Sequence, residues 1–254
     1  MKIISYSLFG ERNYTDENRF VFDKYLLGVY INARMNKILL PDWFMYLHIG
    51  QDEFKKHESY INDLANLFNI KVFVKNITQL CQGMLYRLNP LFEEPLARYV
   101  LSRDLDSIIT YREARCINEF VSSNKGYHSI NDHNAHCGLM GGLIGFNKEK
   151  FKRDFPNIDS FEGLTDRYNL SEHGSDQSLI ANRMGNKMYN DILVHNKPVF
   201  EEQDKKLEES NNCIGFIGSA GCNEMEVLRF FLKNDKSEYK EFEKKHSNVC
   251  YWAK

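Results

Sequence analysis

The feature that most constrains this chain is the alternation, through its first half, of short apolar runs with longer amphipathic stretches. Apolar runs at residues 2–9 (KIISYSLF), 43–49, 70–75 (IKVFVK) and 97–103 (ARYVLSR) read as strands. Between and after them, helices are predicted at 17–36, 53–68, 82–92 and 110–122; the first carries Phe20, Tyr25, Leu26, Val29, Tyr30 and Ala33 at helical spacing. A strand buried on both faces needs a continuous apolar run, whereas a helix lying on a sheet needs only one apolar stripe. The β-α-β-α order therefore predicts an α/β domain with a Rossmann-like, mainly parallel sheet and helices on both faces. Ligands of such sheets bind in the crevice outside the carboxyl ends of the strands.

The second half breaks that rhythm. Strands at 126–131 and 139–146 follow one another without a crossover helix, then come a helix near 175–186 and a strand at 191–195. Residues 200–212 read as a charged loop, 214–218 as a Gly-bounded strand and 223–245 as a polar helix. No repeat or low-complexity linker interrupts the chain, so one domain over residues 1–254 with a mixed second half is expected.

Charge and cysteine usage exclude several classes. The 33 basic and 35 acidic residues leave a net charge of -2, which is no field for a general nucleic-acid binder. No run approaches the roughly 18 apolar residues that cross a bilayer. The first apolar run stops at Gly10 and Glu11, short of a secretory core, so a soluble, intracellular (cytoplasmic) protein is expected. The six cysteines, at 81, 116, 137, 213, 222 and 250, form no C-x-x-C pair, and isolated thiols of this kind read as small buried hydrophobes. Nothing in the sequence bears on the oligomeric state.

Four segments carry candidate chemistry. Asp104-Leu105-Asp106 closes the run ARYVLSR, placing two carboxylates at a strand's end. Hard oxygen ligands of this kind suit Mg²⁺ or Mn²⁺ with positions left for diphosphate oxygens. The same tripeptide also occurs as a helix cap or an exposed turn. Asp132-His133-Asn134-Ala135-His136 leads through Gly138 to Gly141-Gly142, which reads either as a ligand-facing loop in which glycines let backbone approach closely or as a hydrogen-bonded turn with its histidines on the polar surface. Gly174-Ser175-Asp176-Gln177 opens a predicted helix, where Asp176 serves equally as a first-turn charge or as a group for sugar hydroxyls or a base. His195-Asn196-Lys197 follows a strand; its imidazole would suit a metal and its ammonium a phosphate, but without the aspartate pair it reads as a plain turn.

Taken together, these pieces resemble a GT-A-like glycosyltransferase family with members in bacteria and large DNA viruses. The shared pattern is Arg103-Asp104-Leu105-Asp106-Ser107, Arg112-Glu113, His128, Asp132-His133, His136, Gly141-Gly142, Gly145, Asp176-Gln177 and His195, over roughly residues 1–220. Asn131, Asn134 and Ile144 depart from it, standing where the family usually has Arg, Pro and an aromatic.

The resemblance implies a GT-A fold: a nucleotide-sugar-binding half at 1–109, an acceptor and catalytic half at 110–220, and a C-terminal helix and tail at 221–254. It implies transfer of a sugar from a nucleoside-diphosphate donor to a glycan or other hydroxyl acceptor, with Mn²⁺ or Mg²⁺. Asp104, Asp106 and His195 would hold the metal. Ser7, Leu8, Phe9, Gly10, Arg87, Arg103, Leu105 and Lys197 would face the donor. Asp176 and Asp132 would act as base or sugar-positioning groups, with His133, His136, Gly141, Gly142 and Gln177 on the sugar or acceptor side. The rival readings are an inactive sugar-nucleotide-binding module and a nucleotidyltransferase.

Overall fold

A computed structural model describes residues 1–11, 19–132, 138–172, 174–196 and 239–250. Seven strands form one sheet: β1 (Lys2–Leu8), β2 (Trp43–Gly50), β3 (Lys71–Lys75), β4 (Tyr99–Arg103), β5 (Tyr127–Ile130), β6 (Leu143–Asn147) and β7 (Ile192–His195). Their order across the sheet is β3-β2-β1-β4-β6-β5-β7. Neighbours are parallel except at β6, which runs antiparallel to both β4 and β5. The predicted architecture, a mainly parallel sheet with a mixed second half, is the one observed.

The alternation along β1 shows how the sheet divides the core. Ile4, Tyr6 and Leu8 enter one apolar cluster, whereas Ile3 enters the cluster on the opposite face. The first face is covered by α1 (Arg19–Leu39), α2 (Gln51–Phe68) and α5 (Tyr111–Ser122). The other is covered by α3 (Leu80–Leu85), a 3₁₀ turn (Tyr86–Leu88), α4 (Pro90–Glu93), α6 (Lys148–Asp154), α7 (Phe161–Thr165) and α8 (Ser175–Met188). A further helix, α9 (Lys240–Lys245), packs on the first face, where Phe242 stacks on Tyr30 at 5.2 Å and Tyr30 Oη donates to Glu243 at 2.6 Å. Thus the one described part of the C-terminal tail buries core surface.

Three expectations change in detail. The helix expected at 82–92 is broken into α3, the 3₁₀ turn and α4, because Pro90 has no N–H to continue the ladder and starts a new helix at its first position. The strand expected at 139–146 is confined to β6, and residues 138–142 form the turn that enters it. Helices α6 and α7 were not foreseen; Asn147 and Ser160 cap them, accepting bonds from the Glu149 and Gly163 amides. The strand expected at 214–218 and most of the helix at 223–245 lie outside the described residues. No described helix is long and apolar enough to cross a membrane. Cys81, Cys116 and Cys250 are buried free thiols.

Candidate active site

At the carboxyl ends of β1 and β4 lies a cleft of about 250 Å³. Its lining joins Ser7, Leu8, Phe9 and Gly10 from the end of β1, Arg87 from the 3₁₀ turn, and Asp104, Leu105 and Asp106 from the end of β4. Gly142 closes it from the turn before β6, and Asp176 and Gln177 from the start of α8. Segments separated by up to about 170 positions meet there as the sheet topology dictates. A side pocket of about 140 Å³ shares Phe9, Gly10 and Leu80 with the cleft and extends past Gly50, Asp52, Asn76 and Gln79 at the ends of β2 and β3.

The turn after β1 is shaped by glycine. Gly10 has a φ of 85°, a left-handed conformation costly for other residues. Phe9 occupies the space beside Gly83, where a β-carbon would sit 2.6 Å from its ring. The far end of the turn is anchored by the Glu11 amide, which donates to Glu53 Oε1 at 2.9 Å.

Charge in the cleft centres on Arg87. Its guanidinium, 5% exposed, pairs with Asp104 and stands 3.7 Å from Asp176 Oδ2. Its Nε donates to the Met84 carbonyl at 2.8 Å, which fixes the fork between the two carboxylates. Asp176 is buried in the first turn of α8, where the helix dipole favours its charge. Asp106 is pushed up to about 6, first by burial and then by the neighbouring charge of Asp104.

The glycine pair is required by these carboxylates. A β-carbon at 142 would lie 1.8 Å from Asp104 Oδ2, and one at 141 would lie 2.8 Å from Asp176 Oδ2. Close backbone approach is thus the local reason for glycine here, and Ser102 Oγ donates to the Gly141 carbonyl at 2.5 Å to hold the turn.

Arg103 and Asp132 are placed otherwise than the sequence suggests. Arg103 is buried behind the cleft, where its Nη1 donates to the Gly142 carbonyl at 2.7 Å and its Nη2 to Ser107 Oγ at 2.9 Å. Glu113 accepts from its Nη2 at 2.8 Å and faces its Nε at 2.7 Å. It ties the aspartate loop to the glycine turn and does not line the cleft. Asp132 is likewise buried, held against Arg112. Successive residues of α5 thus grip two strand ends, Arg112 that of β5 and Glu113 that of β4.

His195, at the end of β7, has both ring nitrogens engaged. Nδ1 lies 2.9 Å from His128 Nε2, and Nε2 lies 2.8 Å from Glu119 Oε2. It is not among the residues lining the cleft. Buried His128 is pushed down to about 3 by desolvation and then by His195 and Arg103, so it stays neutral in this chain. Among the described residues no group of three or more His, Cys, Asp and Glu side chains gathers as a complete metal shell. His133, His136 and Lys197 lie outside the described residues.

Sequence reasoning passed over Tyr25 and Leu80, which also line the cleft, and the buried Asn32 behind it. An asparagine within the apolar stripe of α1 was the available signal for the last.

No family model matches the chain, and no curated protein matches it in sequence. Several solved structures are distantly similar. Mouse xyloside xylosyltransferase 1 shares 11% identity over 76% of this chain and 84% of its own, with a TM-score of 0.45. TarS of S. aureus shares 13% over 98% of this chain and 80% of its own, with a TM-score of 0.45. A 4-diphosphocytidyl-2C-methyl-D-erythritol synthase from Anaerococcus prevotii shares 10% over 82% of this chain and 96% of its own, with a TM-score of 0.42. Likeness at this level assigns no activity to this chain.

Proposed function

We propose that this chain is a metal-dependent glycosyltransferase of the GT-A type that uses a nucleoside-diphosphate-sugar donor and a hydroxyl acceptor. The observation that carries the reading is the cleft itself, which unites the β1 turn, Arg87, the Asp104–Asp106 pair and Asp176–Gln177. Two neighbouring carboxylates, one of them partly buried, are the arrangement a divalent cation resolves by neutralising both.

Asp104 and Asp106 fit two ligands of Mn²⁺ or Mg²⁺, with diphosphate oxygens and water completing the shell. Such an ion supplies charge stabilisation for the departing nucleoside diphosphate. His195 joins that shell only if its ring leaves His128 and Glu119, so we assign the site to the aspartate pair and treat His195 as a strand-end brace. The base end of the donor falls to the side pocket beside Phe9 and Gly10. Arg87 and Asp176 flank the position left for the sugar. Asp176, held rigid by its helix and by Arg87, is the group we assign to the sugar or to the acceptor proton, with Gln177 as a second polar contact. Asp132 and Arg103 serve by positioning these elements from behind.

A panel of sugar nucleotides with Mn²⁺ or Mg²⁺ tests the reading, with the released product identified. Free nucleoside diphosphate is the expected product; pyrophosphate would mark a nucleotidyltransferase, and donor binding without turnover an inactive module. Asp106→Asn should abolish transfer, and Asp176→Asn should lower kcat by about 10²–10⁴-fold. Undiminished transfer by Asp106→Asn in chelator would refute the metal assignment.

A further inference from the structure

We infer that Asn32, on the helix behind the cleft, is a positioning residue that sets the geometry of the Asp104–Asp106 pair; this rests on the glycosyltransferase reading above. Asn32 is fully buried in α1, on a surface otherwise given to core packing. A buried amide there must find partners, and those it finds are the loop that carries the carboxylates. Its Nδ2 donates to the Leu105 carbonyl at 3.2 Å and to the carbonyl of Gly28, one turn earlier, at 3.0 Å. Its Oδ1 accepts from the Ile109 amide at 3.2 Å. One side chain therefore closes the turn 105–109 from both ends.

The bond to Leu105 matters most. That carbonyl belongs to the peptide plane whose other end is the Asp106 nitrogen, so fixing its direction fixes how the second carboxylate leaves the backbone. Gly28 makes the approach possible: a β-carbon there would stand 2.0 Å from the Leu105 oxygen. Gly28 and Asn32, four apart on one face of α1, form a seat for this single peptide. Within the same loop, Arg103 Nη2 donates to Ser107 Oγ at 2.9 Å. With the loop held at Leu105, Ser107 and Ile109, the Asp104–Asp106 spacing is preset before any ligand arrives. Supports of this kind, outside the ligands themselves, typically change metal affinity by about 10–100-fold when removed.

The test compares wild type, Asn32→Ala and Asn32→Leu for direct Mn²⁺ binding, for the Mn²⁺ concentration giving half-maximal transfer, and for melting temperature. Asn32→Leu keeps much the same volume and buries no charge while removing the amide group, so it decides the matter if the cavity left by Asn32→Ala prevents folding. Either folded variant should need about tenfold more Mn²⁺ or worse, with donor KM at saturating metal little changed. A residue acting only through stability would lower the melting temperature and leave Mn²⁺ affinity where it was, and that result overturns the inference. The function reading fails separately: if wild type and Asp106→Asn respond identically to Mn²⁺, there is no aspartate metal site for Asn32 to position.

Discussion

Replacing Gly142 with alanine separates the site from the fold. The new β-carbon would stand 1.8 Å from Asp104 Oδ2 and 2.3 Å from its Cγ, where ordinary contact begins near 3.4 Å. One partner must therefore retreat by roughly 1.6 Å. The backbone is poorly placed to do so, because Arg103 holds the Gly142 carbonyl at 2.7 Å and β6 begins at the next residue. Asp104 is the group that gives, since its side chain is 49% exposed and can swing toward solvent. That movement breaks its pairing with Arg87 and alters its spacing to Asp106. A misplacement on the order of 1 Å costs about 10²-fold in rate, or roughly 2.7 kcal/mol of barrier. Asp104 regains water, but Arg87 is 5% exposed and keeps only Asp176 at 3.7 Å, so stability should fall by about 1–3 kcal/mol. The assay is steady-state release of nucleoside diphosphate against Mn²⁺ concentration, run beside thermal melts. Asp104→Ala supplies the control: if the damage passes through Asp104, the double variant should be no worse than Asp104→Ala alone. Transfer within about threefold of wild type, or fully additive losses, would refute the reasoning.

Two further outcomes follow from the buried charges. Arg103→Met removes the charge partner of Glu113 from a site almost closed to solvent, which should cost about 3–5 kcal/mol and lower the melting temperature by roughly 6–20 °C. Arg103→Met/Glu113→Leu should recover much of that loss by calorimetry; a single variant melting like wild type would show that the clamp carries no stability. His48, buried on β2 and stacked on Phe73 at 5.0 Å, is pushed down to about 3 by desolvation and then by Lys75. Below its unfolded value of about 6.5 the unfolded chain binds the extra proton, so stability falls as pH drops, by about 1.4 kcal/mol per pH unit down to about 3. Buried His128, also pushed down to about 3, adds to the same dependence, so denaturant titrations from pH 7 to 5 should show both contributions in wild type and a shallower slope in His48→Leu; equal slopes would return the dependence to other groups.

The sequence by itself determined the alternating order of strands and helices in the first half and the identity of most residues that meet in the cleft. Apolar runs and stripes are local signals, and the crevice of a parallel sheet lies where its strands end, so Asp104–Asp106 and Asp176–Gln177 were legible before any coordinates, while Ser7–Gly10 came from the family resemblance. Even the break at Pro90 was present in the chain as an Asn-Pro step, though the apolar pattern hid it. What only the tertiary structure decided is direction and partnership. Arg103 sits next to Asp104 in the chain, yet it turns behind the strand to Glu113 and Gly142. Asp132 is claimed by Arg112, and His195 by His128 and Glu119. These side chains have the chemistry of a site, but an ionisable group goes to the nearest geometry that satisfies its charge, and that geometry comes from elements tens of residues away. Asn32 shows the converse. Its sequence context is ordinary helix, and it gains a role only because packing lays the Leu105 carbonyl against Gly28.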